Sequence, residues 1–238
     1  MRTKWVSTEP KQLEYYDAIL IHADSGLHEQ VTDRLSRYLP KGAAVLDMGA
    51  GSGALSKRLA DLGYQVLALD VEQERFQPQG IEFRHLDLEL GVAESLAGRR
   101  FDAICSLEVI EHLRNPWQMM RDCEKALEPG SLLILTTPNI TSFYSRLRFL
   151  FTGRFHQFED KDLSYGHINP LTFAEVELIA RESGFEVLER RPGGYLPLID
   201  LSGRFWRSLP GNLIRLLVYP FMRGPKEGWC LIYVLRKR

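Results

Sequence analysis

The chain has 238 residues, 45% hydrophobic and 26% charged, with 30 Lys/Arg against 31 Asp/Glu and a formal net charge of −1. This length suits a single domain with insertions around one sizeable core, and the balance excludes a disordered or fibrous chain; no run of about 18 apolar residues occurs, so no spanning helix is expected. Cys105, Cys123 and Cys230 stand far apart without C-x-x-C spacing and Met1 to Pro10 lacks an apolar leader, so buried thiols in a reducing, cytoplasmic protein are expected rather than a zinc site or a disulfide framework.

An N-terminal helical cap, residues 1–40 with a helix over 26–38, is expected to precede the main domain at 41–238. The most informative stretch comes next. Val45-Leu46-Asp47-Met48 reads as a buried strand, and Gly49, Gly51 and Gly53 break it before a helix that begins at Ala54. Glycines at that spacing let the backbone turn sharply and approach a ligand with no Cβ in the way, while the helix N-terminus offers its amides, so this is a nucleotide-cofactor loop. Strand 43–48, helix 53–62 and strand 65–70 follow in turn, and the second strand ends on Asp70, placed to accept hydrogen bonds from both hydroxyls of a ribose. Gly49, Gly51 and Ala54 satisfy the dinucleotide pattern G-x-G-x-x-G/A, whereas Asp47 with the three glycines satisfies D-x-G-x-G-x-G. An NAD-dependent oxidoreductase therefore stays open at this point.

Strand 81–86 runs into Asp87-Leu88, and strand 101–106 runs into Glu108-Val109-Ile110-Glu111-His112. Glu108 to Glu111 is an i, i+3 step and Glu108 to His112 an i, i+4 step, so a helical turn there would put all three on one face, half of a metal site. Pro116 opens a helix over 116–127, and Pro129-Gly130 is expected to stop it before strand 131–136. A helix over 172–183, strand 185–190 and strand 229–235 complete seven strands. Strands alternating with helices imply an α/β fold, a doubly wound, mostly parallel Rossmann-like sheet with its ligand crevice at the strand carboxyl ends. Two segments, 139–170 and 193–228, far exceed the usual connection of about 2 to 6 residues and read as lid insertions that select the substrate.

With these ordered acids the chain resembles, over roughly residues 40–190, the class I S-adenosylmethionine (SAM) dependent methyltransferases. The resemblance implies that Asp47, Gly49, Gly51 and Gly53 line the methionine half of SAM, that Asp70 holds the ribose, that Asp87 with Leu88 faces the adenine amine, and that the last strand is antiparallel. An acid such as Asp47 suits the ammonium group of SAM, whereas it would repel a pyrophosphate. Single aspartates at strand ends also serve merely to cap helices. The E-x-x-E-H run is similar to that of metal-dependent O-methyltransferases, those of ubiquinone biosynthesis and the small-RNA 2′-O-methyltransferases, in which a later histidine completes the site. By that resemblance Glu108, Glu111, His112 and His167 would hold Mg²⁺ or Mn²⁺. Other methyltransferases carry the run without a metal, its acids bonding to amides or to SAM; Glu108 would then border the cofactor, and His112 or His167 would act as base, with His22 and His28 as further candidates.

The expected activity is SAM-dependent O-methylation of a small-molecule or lipid-linked acceptor; a non-catalytic SAM-binding scaffold would carry the same binding motifs. Tyr144 to Phe151 and Phe155 to Phe158 suit an apolar acceptor bearing phosphate or carboxylate, or form the lid's own small core. Nucleic acid is not an expected partner, because the first 189 residues are acidic and no RNA-binding module occurs. From Arg190 onward ten Lys/Arg face only Asp200 and Glu227, +8 against −9 before it, so this end is expected to face something anionic. Leu196 to Met222 is apolar with Arg204, Arg207, Arg215 and Arg223 interspersed, and Pro210-Gly211 is expected to split it into two short helices. It fits a peripheral contact with the inner membrane face through 196–223, with Trp206 and Tyr219 near the headgroups, a homodimer interface, or a cover over the active site.

Overall fold

The computed structural model describes residues 6–7, 13–92, 96, 98–200 and 205–238, with the backbone alone at 6–7, 200 and 205–210. Arg204 and the side chains of Trp206 and Arg207 lie outside the described residues. Seven strands form the main sheet: β1 (Ala44–Met48), β2 (Gln65–Asp70), β3 (Glu82–His85), β4 (Phe101–Leu107), β5 (Leu127–Pro138), β6 (Phe185–Gly193) and β7 (Cys230–Lys237). Their lateral order is β3-β2-β1-β4-β5-β7-β6. The first five pair in parallel and β7 runs antiparallel to both its neighbours, as expected.

Both faces of this sheet are covered, which is why its central strands read as continuous apolar runs. Alternate residues feed two cores. Val45, Ile134 and Ile232 pack with Leu27, Val31 and Leu35 of α1 (Leu27–Tyr38) and with Leu55 and Leu59 of α2 (Ala54–Asp61). Leu46, Leu133, Leu135 and Tyr233 pack instead with Met119 and Cys123 of α3 (Pro116–Ala126) and with Val176 and Ile179 of α6 (Phe173–Glu182). The N-terminal arm thus shares the sheet's own core through α1. A ribbon of Glu14–Tyr16 with Ile19–Ile21 precedes it, and Ile19 and Ile21 pack on Ala54 at the start of α2. All three cysteines are buried, and burial pushes their thiols up.

Start signals fall where the residues require. Pro116 opens α3, and Asn115 caps it by accepting the Gln118 N–H; Thr172 caps α6 by accepting the Glu175 N–H. Two expectations fail. β5 begins at Leu127, because Pro129 and Gly130 form a bulge within the strand: its pairing with β4 jumps from Phe101–Leu127 to Ala103–Leu132, with Gly130 at φ 86°. A bulge tolerates both the missing proline amide and a left-handed residue. Pro210-Gly211 likewise does not split its segment, since a single helix α7 (Phe205–Val218) runs through both. A proline there removes one main-chain hydrogen bond near the start of the helix, and the helix continues past it to Val218. The first insertion contributes α4 (Phe143–Thr152) and the short α5 (Asp160–Ser164).

Candidate active site

The order of the sheet reverses between β1 and β4, and beyond the carboxyl ends of those strands lies a cleft of about 500 Å³. Asp47, Gly49 and Gly51 line one side; Glu108, His112 and His167 line the other. His22, Asp24 and His28 of the N-terminal arm also border it.

The three glycines of the bend all take positive φ, 80°, 53° and 87° in order. Their surroundings differ. A Cβ on Gly49 would stand 2.4 Å from Val109 and one on Gly53 would stand 2.5 Å from Pro78, whereas one on Gly51 would meet nothing within 4 Å. Gly51 therefore turns its bare backbone to the open cleft, the approach a bound nucleoside needs. The helix that follows has no side-chain cap at Gly53, but the Ser56 N–H of its first turn is taken by the Asp47 carboxylate. Asp47 is 2% exposed and accepts from Ser56 Oγ at 2.5 Å. Burial pushes its carboxyl up to about 7 despite that hydrogen bond, with the Asp70 charge adding.

Asp70 faces the bend: one oxygen accepts the Gly51 N–H at 2.7 Å and the other the Glu72 N–H at 2.9 Å. Each oxygen keeps a further lone pair. Asp70, Asp87 and Leu88 do not line the cleft. Asp87 is exposed and caps the turn Leu88–Leu90 by accepting the Glu89 N–H at 3.0 Å, the plain capping role. The stretch after Asp70 crosses this end: the Gln77 N–H donates to the Ser52 carbonyl at 3.2 Å, and Arg75 reaches His22 Nε2 at 3.4 Å.

On the opposite side the E-x-x-E-H run forms a single 3-10 turn, Ile110–His112, with Glu108 before it at φ 54°. The expected common face therefore does not form. Glu108 reaches across to Thr136, whose hydroxyl donates to its carboxylate at 2.8 Å and accepts its N–H at 3.0 Å. Glu111 is fully buried instead. Thr137 donates to its Oε2 at 3.2 Å, and its Oε1 has no hydrogen-bond partner among the described residues. Burial, with the Glu108 charge, pushes the Glu111 carboxyl well up.

His167 is delivered to this turn by the first insertion. Ile168 and Asn169 both donate their N–H groups to the Glu111 carbonyl at 3.0 Å, and the Asn169 amide donates to the Leu113 carbonyl. The result is an edge-to-face pair: the His112 and His167 rings lie 4.6 Å apart at 86°. One ligand atom each of Glu111, His112 and His167 lies within 4.8 Å of the others, a group that does not include Glu108. His167 Nδ1 lies 2.9 Å from the Gln157 carbonyl, which can only accept, so Nδ1 carries the hydrogen and Nε2 keeps its lone pair. Burial, and then the neighbouring His167, lower the pKa of His112. Burial lowers His28 to about 4.

Sequence reasoning did not find Thr136, Thr137, Gln157 or Asn169. Their alternation and spacing mark no chemistry, and only the pairing of β5 with β4 and the docking of the insertion reveal them. The lid aromatics partly form their own core: Tyr144, His156 and Trp229 meet with ring centroids 4.7 to 5.3 Å apart, and Phe158 is buried.

A 3-2-1-4-5-7-6 sheet with a glycine bend facing an open cleft defines a nucleoside-cofactor-binding fold. Residues 21–190 match the methyltransferase domain family, and the chain belongs to it, a class I methyltransferase whose cofactor is SAM. The oxidoreductase reading of the glycine bend falls with that finding. Among similar proteins, a ubiquinone biosynthesis O-methyltransferase of Caulobacter sp. (strain K31) is 35% identical over 108 residues, 42% of this chain and 43% of that one. One of Xanthomonas axonopodis pv. citri (strain 306) is 37% identical over 116 residues, covering 44% and 47%. The chain thus spans about half the length of the curated relatives it matches. A SAM-dependent methyltransferase of Archaeoglobus fulgidus superposes with a TM-score of 0.61 at 18% identity, covering 88% of this chain and 94% of that one. The cyclase SpnF shares the fold at a TM-score of 0.57 and 18% identity, over 96% and 88% of the two chains, so the fold alone does not name the reaction.

Proposed function

We propose that this protein transfers a methyl group from SAM to a hydroxyl of a small-molecule or lipid-linked acceptor. The observation that supports it is the meeting of His112 and His167 across one cleft from the glycine bend, with the buried Glu111 close to both. SAM supplies an electrophilic methyl, so what remains for the protein is to hold the acceptor oxygen in line, exclude water and take its proton. His167 offers Nε2 for that proton, because Nδ1–H is committed to Gln157. His112, kept neutral by burial, is the second imidazole within reach. Asp47 pairs with the ammonium group of the methionine moiety, a role that its place in the cleft beside Gly49 and Gly51 favours.

The same side chains fit a divalent cation. Glu111 Oε1 is a buried oxygen in want of a partner, and two imidazoles stand beside it. Mg²⁺ or Mn²⁺ there would lower the pKa of the acceptor hydroxyl. Glu108, occupied with Thr136, contributes its charge beside this group. A lipid-linked acceptor would place the enzyme as a peripheral protein at the cytoplasmic face of the inner membrane; no helix of the described residues is long and apolar enough to cross one.

The test is turnover. Protein, SAM and a cell extract should yield S-adenosylhomocysteine, with a drop on chelation that Mn²⁺ or Mg²⁺ restores. SAM binding without any S-adenosylhomocysteine would identify a scaffold and overturn the reading.

A further inference from the structure

Helices α4 and α7 invert the rule that the others obey. In α1, α3 and α6 the periodic apolar residues turn inward, Leu178 of α6 excepted, whereas α7 exposes Leu213 at 57%, Ile214 at 40%, Leu216 at 44% and Leu217 at 63%. That i, i+1, i+3, i+4 spacing is the stripe that ordinarily meets a core. The turn Tyr219–Phe221 adds Phe221 at 85%, and α4 exposes Phe149, Leu150 and Phe151 at 45%, 72% and 71%. Scattered apolar side chains on a surface need no explanation, but seven on two adjoining helices and an eighth on the turn beside them do. The helices adjoin because Phe143 packs edge-on against Tyr219 at 5.6 Å, Arg215 lies over the Tyr144 ring at 5.1 Å, and the Phe143 N–H donates to the Lys226 carbonyl at 2.9 Å.

Charge identifies what covers them. Residues 141–158 carry three arginines and residues 201–226 four arginines and a lysine, and neither stretch contains an Asp or Glu. Arg148 and Arg154 pair with Glu159 and Asp160 just beyond α4, but Arg223 is exposed with no ion pair among the described residues. A second copy docking by the same face would set this cationic patch against itself. Apolar side chains on segments with more cations than acids match an anionic lipid surface, where the apolar groups enter the acyl boundary and the arginines meet phosphates. With 14 residues α7 is shorter than the roughly 20 needed to span, so it would lie in the interface.

We propose that α4 and α7 together form a docking surface for an anionic phospholipid bilayer. This goes beyond the methyl-transfer reading and holds for whatever acceptor the cleft takes. The insertion that bears α4 also carries Gln157 and His167, so the docked face and the acceptor side of the cleft belong to one segment.

Sedimentation of the full chain with vesicles tests it. Vesicles of phosphatidylcholine mixed with phosphatidylglycerol should carry the protein down, and phosphatidylcholine alone should not. The pair Leu217→Glu with Phe221→Glu, and separately Leu150→Glu with Phe151→Glu, should each weaken binding about tenfold or more. All four positions are exposed, so each variant should bind SAM by calorimetry like the parent, which separates lost docking from lost folding. Absent sedimentation, equal sedimentation with both vesicles, or a vesicle-free dimer that Phe221→Glu dissociates would each overturn the surface. Failure of the parent to bind SAM would instead sink the methyltransferase reading and leave this surface standing.

Discussion

The cofactor end of the cleft is built from chain neighbours, since Gly51, in the bend after β1, and the Asp70 that accepts its N–H, at the end of the adjacent β2, are 19 residues apart. At the acceptor end the partners come from afar: Thr137 reaches Glu111 across 26 residues, and Asn169 reaches Leu113 across 56. The difference teaches which half should tolerate change. A bend set by one strand, one turn and one helix is dictated locally, whereas the imidazole pair exists only while an insertion stays docked. Binding of SAM and transfer of its methyl should therefore be separable by mutation.

The sharpest separation comes from His112→Ala, which should lower kcat by about 100-fold or more while leaving SAM affinity unchanged in calorimetry. An equal loss of SAM affinity would break the comparison. Next is Asp47→Asn, expected to weaken SAM about ten- to a hundredfold, the range for losing a charge-assisted contact. Its pH behaviour sharpens the point. The folded carboxyl titrates near 7, above the ordinary Asp value near 4, so its contribution favours the ligand-free fold at low pH and is lost as pH rises through 7. Asp47→Asn should accordingly be more stable than the parent at pH 8, by roughly 2 kcal/mol in denaturant melts. SAM, by pairing with the carboxylate, should release a proton on binding to the parent near pH 6, seen as a buffer-dependent heat that the variant lacks.

Within the bend itself, Gly51→Ala and Gly53→Ala should part company. Both pay about 1–2 kcal/mol for a left-handed backbone. Gly51→Ala adds no clash, so it should lose SAM binding with only that cost in stability, while Gly53→Ala meets Pro78 and Phe76 and should melt lower still. The smallest effect is expected from Asn169→Ala, which loosens the His167 segment from Leu113: about a fivefold fall in kcat with KM for SAM unchanged.

Much of the plan was legible because parallel strands in a three-layer fold are apolar throughout and end on polar residues. The bounds of β2, at 65–70, and the start of α3 at Pro116 follow from that pattern and from proline's missing amide. The errors share a cause. Pro129-Gly130 and Pro210-Gly211 carry the same local stop signal, yet one is absorbed as a bulge where pairing to β4 holds the backbone and the other lies inside α7. Asp87, which the resemblance sets beside the adenine, is exposed and caps the turn Leu88–Leu90.

From residue order alone came the seven-stranded plan, the glycine bend and the acid beneath it, since strand, turn and helix there are contiguous and their spacing is their geometry. Which acid of the E-x-x-E-H run meets an imidazole was settled only in three dimensions. The i, i+3 rule holds for helical backbone, and Glu108 at φ 54° leaves it, handing its carboxylate to Thr136 and leaving Glu111 buried beside His112. His167 joins them because main-chain hydrogen bonds to the Glu111 carbonyl bring a distant segment there, a contact no local spacing encodes.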